Sequence, residues 1–548
     1  MPLLSQSPWL RRACIVLGVV VLALAAMPQI WNPFSRDHGE LTACAQALLR
    51  GATLYRDCWE NKGPLTYPFF MLPVAISPTI IAVRTFDVLW QALTALTLGR
   101  VITRMGDSSR IGGLAAMIYW ALYMGSGFWN TLQSETFAAL FIALCAYGMW
   151  RNTSRWLFVA GVCAGVFIWI KYTYALIALG MGLVMLWQCY RVSDKARVAK
   201  TSDVSETSDV YSNNKPQSSV PKSIALFIAG ALTLSLLPLA YLLLSGAFPA
   251  FLRHLYFLQG PFAVHHDFNT AVDLAWLALR NYINDGSHIG PVAKPTVPIW
   301  NVAGFGFPIL FVLAIYGLWQ HRRTTANWYW AAAGLMGFVG IVWQGRYSSY
   351  HTMLLLLPLV AAASLALPCR PTPHAPQLTT DSSLATYLLT VTLIVALIGC
   401  LPGILDWQSN VIAQSKTPRQ VYDDTSMHDE LVLSDWLQEH STPQDRIAIW
   451  GVAANVYFVS QRQNATSFNF LIPFEYDSAY RDLWMNQYVQ EMTTNLPKYV
   501  VISKDDYPTP SASAQRALRA AAPIHAYIEA HYTYVGESTV FLLYERNK

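Results

Sequence analysis

Charged side chains are scarce in this sequence. Asp, Glu, Lys and Arg make up 13% of its 548 residues, about half of the ~25% that soluble proteins average. Hydrophobic residues make up 54% and recur in nearly uncharged runs of about 18 residues, each long enough to cross a ~30 Å hydrocarbon core. This composition excludes a large soluble enzyme, a disordered protein and a disulfide-stapled secreted domain. We therefore predict a polytopic α-helical membrane protein.

Motifs for nucleotide and metal binding are also missing. The residues after 402 contain a lone Gly451 and no Gly-rich phosphate loop, so nucleotide binding has little support. The eight cysteines form no CxxC motif and no Cys/His metal spacing. No cofactor is predicted with certainty, and a divalent metal stays possible.

The few charges are unevenly distributed. Residues 1–402 contain 26 Lys/Arg and 15 Asp/Glu, a balance of +11, whereas residues 403–548 contain 11 and 17, a balance of −6. The split predicts a membrane domain over 1–402 and a soluble extracytoplasmic domain over 403–548. The basic excess needs no nucleic-acid partner, because cytoplasmic loops of membrane proteins collect Lys and Arg.

The apolar runs and the basic loops together predict a topology. Every second connection between the runs is basic, which puts the N-terminus inside and the tail after 402 outside. The segment Pro64–Val83 contains three prolines, and we interpret it as an interfacial helix. The eleven runs predicted to span the membrane are 13–30, 86–103, 111–129, 135–150, 156–170, 172–190, 223–245, 302–320, 327–343, 351–368 and 384–402.

Three loops and the tail complete this organisation. Loops 31–64 and 246–301 fall outside, and loop 191–222, rich in Ser, Thr and Asp, falls inside as a flexible tether. In the tail, amphipathic stretches alternate with short apolar runs, which predicts a small α/β domain with a partly parallel sheet. The predicted helices are 428–440, 481–495 and 514–531, and the predicted strands are 446–450, 498–502 and 539–543.

The first outside loop has the densest set of ionisable residues. Asp37 and Glu40 are three residues apart and share a helix face, and Glu60 and Lys62 follow. Acids and bases at headgroup level suit a lipid phosphate and a hydroxyl that must lose its proton. The alternative is a solvated loop with ordinary ion pairs. Cys44 and Cys58 share this outside loop, and whether they pair in an oxidising compartment stays open.

The sequence motifs of this loop favour the chemical interpretation. They are Asp37-x-Gly39-Glu40, Gly51, Tyr55-Arg56-Asp57 and Asn61-Lys62-x-Pro64-Leu65-x-Tyr67. In this pattern the loop resembles the first extracytoplasmic loop of GT-C glycosyltransferases, in particular the family-39/RgtA–D-like branch, relatives of protein O-mannosyltransferases and of the lipid A aminoarabinose transferase. That branch commonly reads D-E-G-E, Y-R-D and N-K-P-P-L-x-Y, and here His38 replaces the first Glu and Gly63 the first Pro.

Further segments extend the resemblance over most of residues 30–370 and into the tail. As in the family, an acid, a Lys and an Arg–His pair lie at the predicted outer ends of helices. The tail contains a W-G-x-x-x-x-x-Y pattern that is also common in the family. The segments are Ser134-Glu135, the helix ending at Lys171, Arg346 to His351, Trp450-Gly451 and Asn455-x-Tyr457.

The resemblance implies a GT-C fold and an inverting transfer of a hexose or pentose from a polyprenyl-phosphate donor. The acceptor would be a glycan, lipid or protein of the cell envelope, on the outer face of the cytoplasmic membrane. Asp37 is implied as the general base, with Glu40 as a second catalytic residue. The implied phosphate ligands are Lys62, Lys171 and Arg346, and the residues implied to position the acceptor or a cation are Glu135, Glu60 and His351.

Two other functions stay open. A transporter or lipid-linked-sugar flippase should carry ionisable residues along a path near mid-membrane. The predicted spans are almost free of them, with Arg84 and Asp87 at one end of a span as exceptions. The third possibility is an inactive scaffold whose tail binds an envelope partner.

Overall fold

The structure of the chain is a computed structural model. It describes residues 8–201, 220–260, 262, 267, 269–271, 273–274, 277, 306–320, 324–345, 348–366, 381–423, 427–504, 518 and 521–548. The predicted tether 191–222 and outside loop 246–301 are therefore only partly described, and Arg346 lies outside the described residues.

Helices dominate the part of the chain before residue 408, and each of the eleven predicted apolar runs overlaps one of them. Those eleven helices are Pro8–Trp31, Ile80–Gly106, Ser109–Met124, Ser134–Arg151, Ser154–Ile170, Ala175–Thr201, Val220–Leu244, Gly306–Gln320, Thr325–Gln344, Met353–Ser364 and Asp381–Trp407. The other helical segments here are Arg36–Leu49, Tyr67–Ile76 and Phe248–Gln259, with 3₁₀ turns at Pro64–Thr66, Tyr172–Tyr174 and Ser349–Thr352.

Judged by length and composition, fewer of the described helices could span a membrane than the sequence predicts. Within the described ranges, four helices are long and apolar enough, or five if Val16–Trp31 and Arg36–Leu49 count as one bent span. We place Arg36–Leu49 outside the spans, because its first two turns contain Arg36, Asp37, His38 and Glu40. The four are Ile80–Gly106, Tyr172–Arg191, Val220–Leu244 and Leu384–Ala413, and the total of eleven stays a prediction.

The segment after the first loop contains a helix that is shorter than a membrane span. Helix Tyr67–Ile76 has 10 residues, about half of the ~20 needed to span. It ends at Ser77, whose backbone is extended, and the long helix begins afresh at Ile80.

The chain divides into two compact units that are discontinuous in sequence. The first comprises Met1–Gln29, Asp87–Pro238 and His266–Trp407. The second comprises Ile30–Phe86, Leu239–His265 and Gln408–Lys548. The predicted first outside loop thus belongs to the same unit as the tail.

The tail contains the small, partly parallel sheet that the sequence predicts. Its strands are β1 (Arg446–Trp450), β2 (Gln463–Asn464), β3 (Tyr499–Ser503), β4 (Tyr532–Glu537) and β5 (Phe541–Arg546). Their order is β2-β1-β3-β5-β4, with β1 parallel to β2 and β3, and β5 antiparallel to β3 and β4.

Helices cover this sheet, and β1 and β3 supply its buried centre. Every residue of β3 is buried, as are the last four of β1, which is why both read as continuous apolar runs. The tail helices are Pro418–Asp423, His428–His440, Asn455–Ser460, Ile472–Glu475, Arg481–Asn495 and Ala522–His531, after a π-helical turn at Gln408–Ala413.

Candidate functional site

The helix that carries Asp37 begins at a cap that uses the unusual His38. The backbone N–H of Ser35 donates to Nδ1 of His38 at 3.0 Å, the role a Glu at the third helical position plays in a capping box. The guanidinium of Arg84 lies 3.2 Å from the same nitrogen, and His38 has no exposed surface. Replacing Glu by His therefore keeps the cap and leaves a buried Nδ1 that accepts hydrogen bonds.

Arg36 brings the two predicted catalytic acids together. Its Nη2 lies 3.3 Å from Oδ1 of Asp37, and its Nε lies 3.6 Å from Oε1 of Glu40. Asp37 is 7% exposed and Glu40 5%. The whole stretch from Asp37 to Gln46 is buried, so this half of the loop is not solvated, whereas Arg56 and Asp57 form an exposed ion pair.

Glu60 and Lys62 add to this group from the other end of the loop. Burial raises the pKa of Glu60 to about 8, against the partial opposition of the nearby Lys62 and the Asn61 N–H. Burial also raises the pKa of Glu40 well above its usual range; the charges of Asp37 and Glu60 raise it further, and those of Arg36 and Lys62 lower it. We call Arg36, Asp37, Glu40, Glu60 and Lys62 the loop cluster.

A glycine in the motif allows the tail to pack against this helix. A Cβ on Gly39 would lie 2.1 Å from Oδ1 and 2.8 Å from the backbone N of Asn455, at the start of helix Asn455–Ser460. The side chain of Asn455 donates to Glu430 at 2.7 Å, and burial raises the pKa of Glu430 to about 7. Close packing against Asn455 therefore explains the Gly of the D-x-G-E motif.

The tail motif is also explained by packing. Trp450 is buried at the end of β1, and a Cβ on Gly451 would lie 2.0 Å from Oγ of Ser503, at the end of β3. The hydroxyl of Tyr457 accepts a hydrogen bond from the N–H of Ile449 at 2.8 Å. These residues hold the helix of Asn455 on the sheet.

A disulfide joins the two halves of the loop. Cys44 in the helix and Cys58 before Glu60 are bonded, with 14 residues of sequence separation. Closing a loop of this size contributes roughly 3 kcal/mol in the chain-entropy account. Glu60 offers a carboxylate oxygen within 4.8 Å of both sulfurs, but oxidised cysteines are not thiolate ligands, so this trio is no metal site while the disulfide is formed.

A second polar group lies in the other unit. Nζ of Lys171 is 2.5 Å from Oε1 of Glu135, and the Ser134 hydroxyl donates to Oε2 of Glu135 at 2.8 Å. Glu135 lies in the first turn of helix Ser134–Arg151, where the helix dipole favours an acid. His351 approaches the same carboxylate, with Nε2 at 3.9 Å from Oε1. Lys171 and His351 therefore converge on Glu135, which is 1% exposed.

The predicted site residues consequently fall into two groups. Asp37, Glu40, Glu60 and Lys62 lie in the second unit, and Glu135, Lys171 and His351 in the first. Sequence reasoning did not assign Arg36 to the site, although its i,i+4 spacing to Glu40 was visible. It also missed Glu430, for which no motif gives a signal.

Asp87, one of the two exceptions that a transporter would need, is hydrogen-bonded within its own unit. Both of its carboxylate oxygens lie within 2.9 Å of the Tyr123 hydroxyl, and Gln91 donates to it at 3.3 Å. Asp87 is 1% exposed. This is a packed polar network and not the lining of an open path.

Apolar helices, a small sheet and a buried group of ionisable loop residues define a class: polytopic helical membrane proteins with a small α/β domain. A comparison with protein-family models finds no match, and a comparison with curated proteins finds none either.

Solved structures identify the fold within this class. The chain is similar to ArnT from Cupriavidus metallidurans bound to undecaprenyl phosphate, with a TM-score of 0.55, 11% identity, and coverage of 97% of this chain and 98% of that one. The apo state of the same protein matches with a TM-score of 0.57, 10% identity and the same coverage. The chain therefore has the GT-C fold, as the resemblance predicted.

Proposed function

We propose that this protein is an inverting glycosyltransferase that moves a sugar from a polyprenyl-phosphate donor to an acceptor of the cell envelope, on the outer face of the cytoplasmic membrane. The observation that carries the proposal is the loop cluster, buried at the start of a polar helix on a GT-C fold. The binding of undecaprenyl phosphate by the ArnT structure supports a donor of this class.

The loop cluster offers the groups that this reaction needs. The acceptor hydroxyl gives its proton to Asp37 as its oxygen attacks the anomeric carbon, and the bond from that carbon to the phosphate oxygen breaks. Attack from the face opposite the leaving group inverts the anomeric centre. Arg36 pairs with Asp37 at 3.3 Å and orients the carboxylate toward its role as base.

The two buried glutamates, Glu40 and Glu60, are assigned a different role, as hydrogen-bond donors. Burial raises the pKa of Glu60 to about 8, so Glu60 favours the protonated form near neutral pH, and burial shifts the pKa of Glu40 in the same direction. A protonated carboxyl can donate a hydrogen bond to a sugar or phosphate oxygen without repelling the anionic leaving group.

The cations balance the charge of the departing polyprenyl phosphate. We assign this role to Lys62. Lys171, whose Nζ lies 2.5 Å from Oε1 of Glu135, keeps the phosphate-binding role that the resemblance implies. His351 is assigned to the same group in a positioning role. Arg346 keeps its predicted role as a third cation, on the resemblance alone.

Asp37→Asn tests the proposal in cells. We expect the variant to lose at least ~100-fold of transfer, a typical contribution of a general base, and to give the same envelope-glycan mass spectrum as a deletion of the gene. Asp477→Asn is the matched control, because Asp477 is exposed in the same unit. Full transfer by a normally expressed Asp37→Asn protein would refute the role of Asp37.

The transporter or flippase stays as the alternative and is tested separately. Purified protein in vesicles, supplied with a polyprenyl-phosphate sugar and no acceptor, should not change the leaflet of the donor. Movement across the bilayer at a rate that Asp37→Asn leaves unchanged would favour a flippase.

A further inference from the structure

The second unit contains a polar pocket outside the loop cluster. Its volume is about 440 Å³, within the ~300–1,000 Å³ range of small-molecule sites. It lies among the C-terminal half of helix Arg36–Leu49, the turn to Cys58, the strands β1 and β2, and helix Arg481–Asn495. None of the loop-cluster residues lines it.

The lining of this pocket is almost entirely hydrogen-bonding. Thirteen of its 19 lining residues carry a polar or charged side chain, and the other six are only Ala, Gly or Cys. An apolar ligand would find no large aliphatic anchor here. Amides, hydroxyls, carboxylates and guanidinium groups together offer both donors and acceptors, which is what a polyhydroxylated ligand needs.

Two donors at the pocket are free to meet a ligand. Within the described residues, neither the guanidinium of Arg446 nor the side-chain amide of Gln463 has a hydrogen-bond partner. The two side chains lie on paired residues, since Arg446 of β1 is in register with Gln463 of β2. They therefore form a ready pair of donors at one edge of the sheet.

Another part of the pocket wall is already fixed. Ser467 donates to Glu491 through its N–H at 2.7 Å, and its carbonyl accepts from the N–H of Trp59 at 2.6 Å. Asn495 donates to the carbonyl of Ala465 at 2.7 Å. Because these bonds already hold this part of the wall, little conformational entropy is lost there when a ligand binds.

The lining carries charges of both signs. Its charged residues are three arginines, Arg50, Arg446 and Arg462, and two acids, Asp57 and Glu491. Arg462 donates to Ser441 and Ser460, Arg50 donates to Gln461, and Asp57 pairs with Arg56. A neutral ligand with many hydroxyls can use these donors and acceptors without adding a charge.

We propose that this pocket binds a neutral saccharide of one or two sugar units. Resting on the proposed function, we infer that this saccharide belongs to the acceptor, which the pocket anchors at a distance from the reacting hydroxyl. Such a subsite gives a role to the Tyr55-Arg56-Asp57 motif, whose Asp57 is held at the pocket by Arg56 at 2.8 Å.

Saturation-transfer NMR on the purified full-length protein tests the pocket. The probes are neutral monosaccharides and disaccharides, with inorganic phosphate as the anionic arm. We expect at least one neutral sugar to bind, and Arg446→Ala and Gln463→Ala each to weaken it about tenfold, the loss of one or two hydrogen bonds. Gln490→Ala, an exposed glutamine on helix Arg481–Asn495, should bind like the wild type.

The outcomes separate this proposal from the proposed function. Asp37→Asn should bind the sugar as tightly as the wild type, so binding is readable even if no transfer occurs. Where transfer is measured, Arg446→Ala should raise KM for the acceptor and leave KM for the donor unchanged. The pocket proposal is overturned if no neutral sugar binds, if both variants bind like Gln490→Ala, or if only phosphate binds.

Discussion

Burial is the main cause of the raised pKa values of Glu40 and Glu60 in the loop cluster. Glu60 is 1% exposed and Glu40 5%, and both lie beside cations that only partly offset the loss of water. The sequence shows which acids are present, and the resemblance implies their roles. Neither the sequence nor the resemblance reveals which acids are desolvated, because desolvation depends on the tail residues packed around the loop.

Glu60 should make stability depend on pH. Its pKa is about 8 in the folded protein against an ordinary 4.5, so between these values the folded state binds more protons than the unfolded state. The free energy of unfolding then falls as pH rises, by at most about 1.4 kcal/mol per pH unit. Glu60→Gln removes this loss. The melting temperature of the variant minus that of the wild type should therefore be larger at ~pH 8.5 than at ~pH 5.

Glu439→Gln, at an exposed position, is the control for Glu60 and should show no such trend. A melting-temperature difference for Glu60→Gln that is the same at both pH values would contradict the raised pKa.

Lys171 is expected to stabilise the first unit through Glu135. Lys171→Met leaves a 1%-exposed carboxylate without its closest cation, which typically costs ~3–5 kcal/mol. The double variant Lys171→Met/Glu135→Gln should recover most of that loss in thermal unfolding in detergent. Lys222→Met, an exposed lysine of the same unit, should be neutral, and additive losses in the double variant would argue against the pair.

Among the elements, helix Arg36–Leu49 matters most, because it carries two acids and packs against the tail. Its contact with helix Asn455–Ser460 depends on Gly39. The sequence predicted the helical face of Asp37 and Glu40 from spacing alone. It could not predict that Asn455, more than 400 residues later, packs on that helix, since periodicity reports only local structure.

Gly39→Ala should push these two helices apart. The added Cβ would lie within 2.8 Å of both the side chain and the backbone of Asn455, and overpacking of this kind typically costs ~1–3 kcal/mol. Gly113→Ala is the control, since nothing lies within 4 Å of a Cβ there and Ala favours a helix. A Gly39→Ala protein as stable and active as Gly113→Ala would contradict the close packing.

The tail shows where elements can be predicted from sequence. Helices His428–His440 and Arg481–Asn495 match their predicted bounds, because each has clear amphipathic spacing. Strand β2 has only two residues and β4 is mostly exposed, so neither has a periodic apolar pattern. For the predicted helix 514–531, the structure describes Ala522–His531 and leaves most of its first half outside the described residues.

For the whole molecule, composition predicts the class of helical membrane protein, the resemblance implies the GT-C fold, and the site depends on how distant segments meet. Residues 30–86 and 239–265 form one compact unit with 408–548. Runs of hydrophobic residues made the helices predictable. Chain order alone gave no reason to join the first loop with the tail.

The predicted orientation can be checked by labelling. Asp477→Cys in the tail should react with a membrane-impermeant maleimide on intact spheroplasts, and Asp107→Cys, in the basic connection after helix Ile80–Gly106, only after lysis. Both positions are exposed, so access depends on the side of the membrane. The parent chain without the new cysteine gives the background, and the opposite labelling pattern would reverse the topology.

The central claim is that the protein breaks the bond between a sugar and a polyprenyl phosphate and passes the sugar on. The most direct measurement incubates purified protein with a polyprenyl-phosphate sugar and an envelope extract, and quantifies free polyprenyl phosphate and the glycosylated acceptor by mass spectrometry. The account predicts that both form in equal amounts with wild-type protein and that neither forms with Asp37→Asn. A wild-type protein that leaves every tested donor intact, or an Asp37→Asn protein that consumes it at the wild-type rate, would contradict the account.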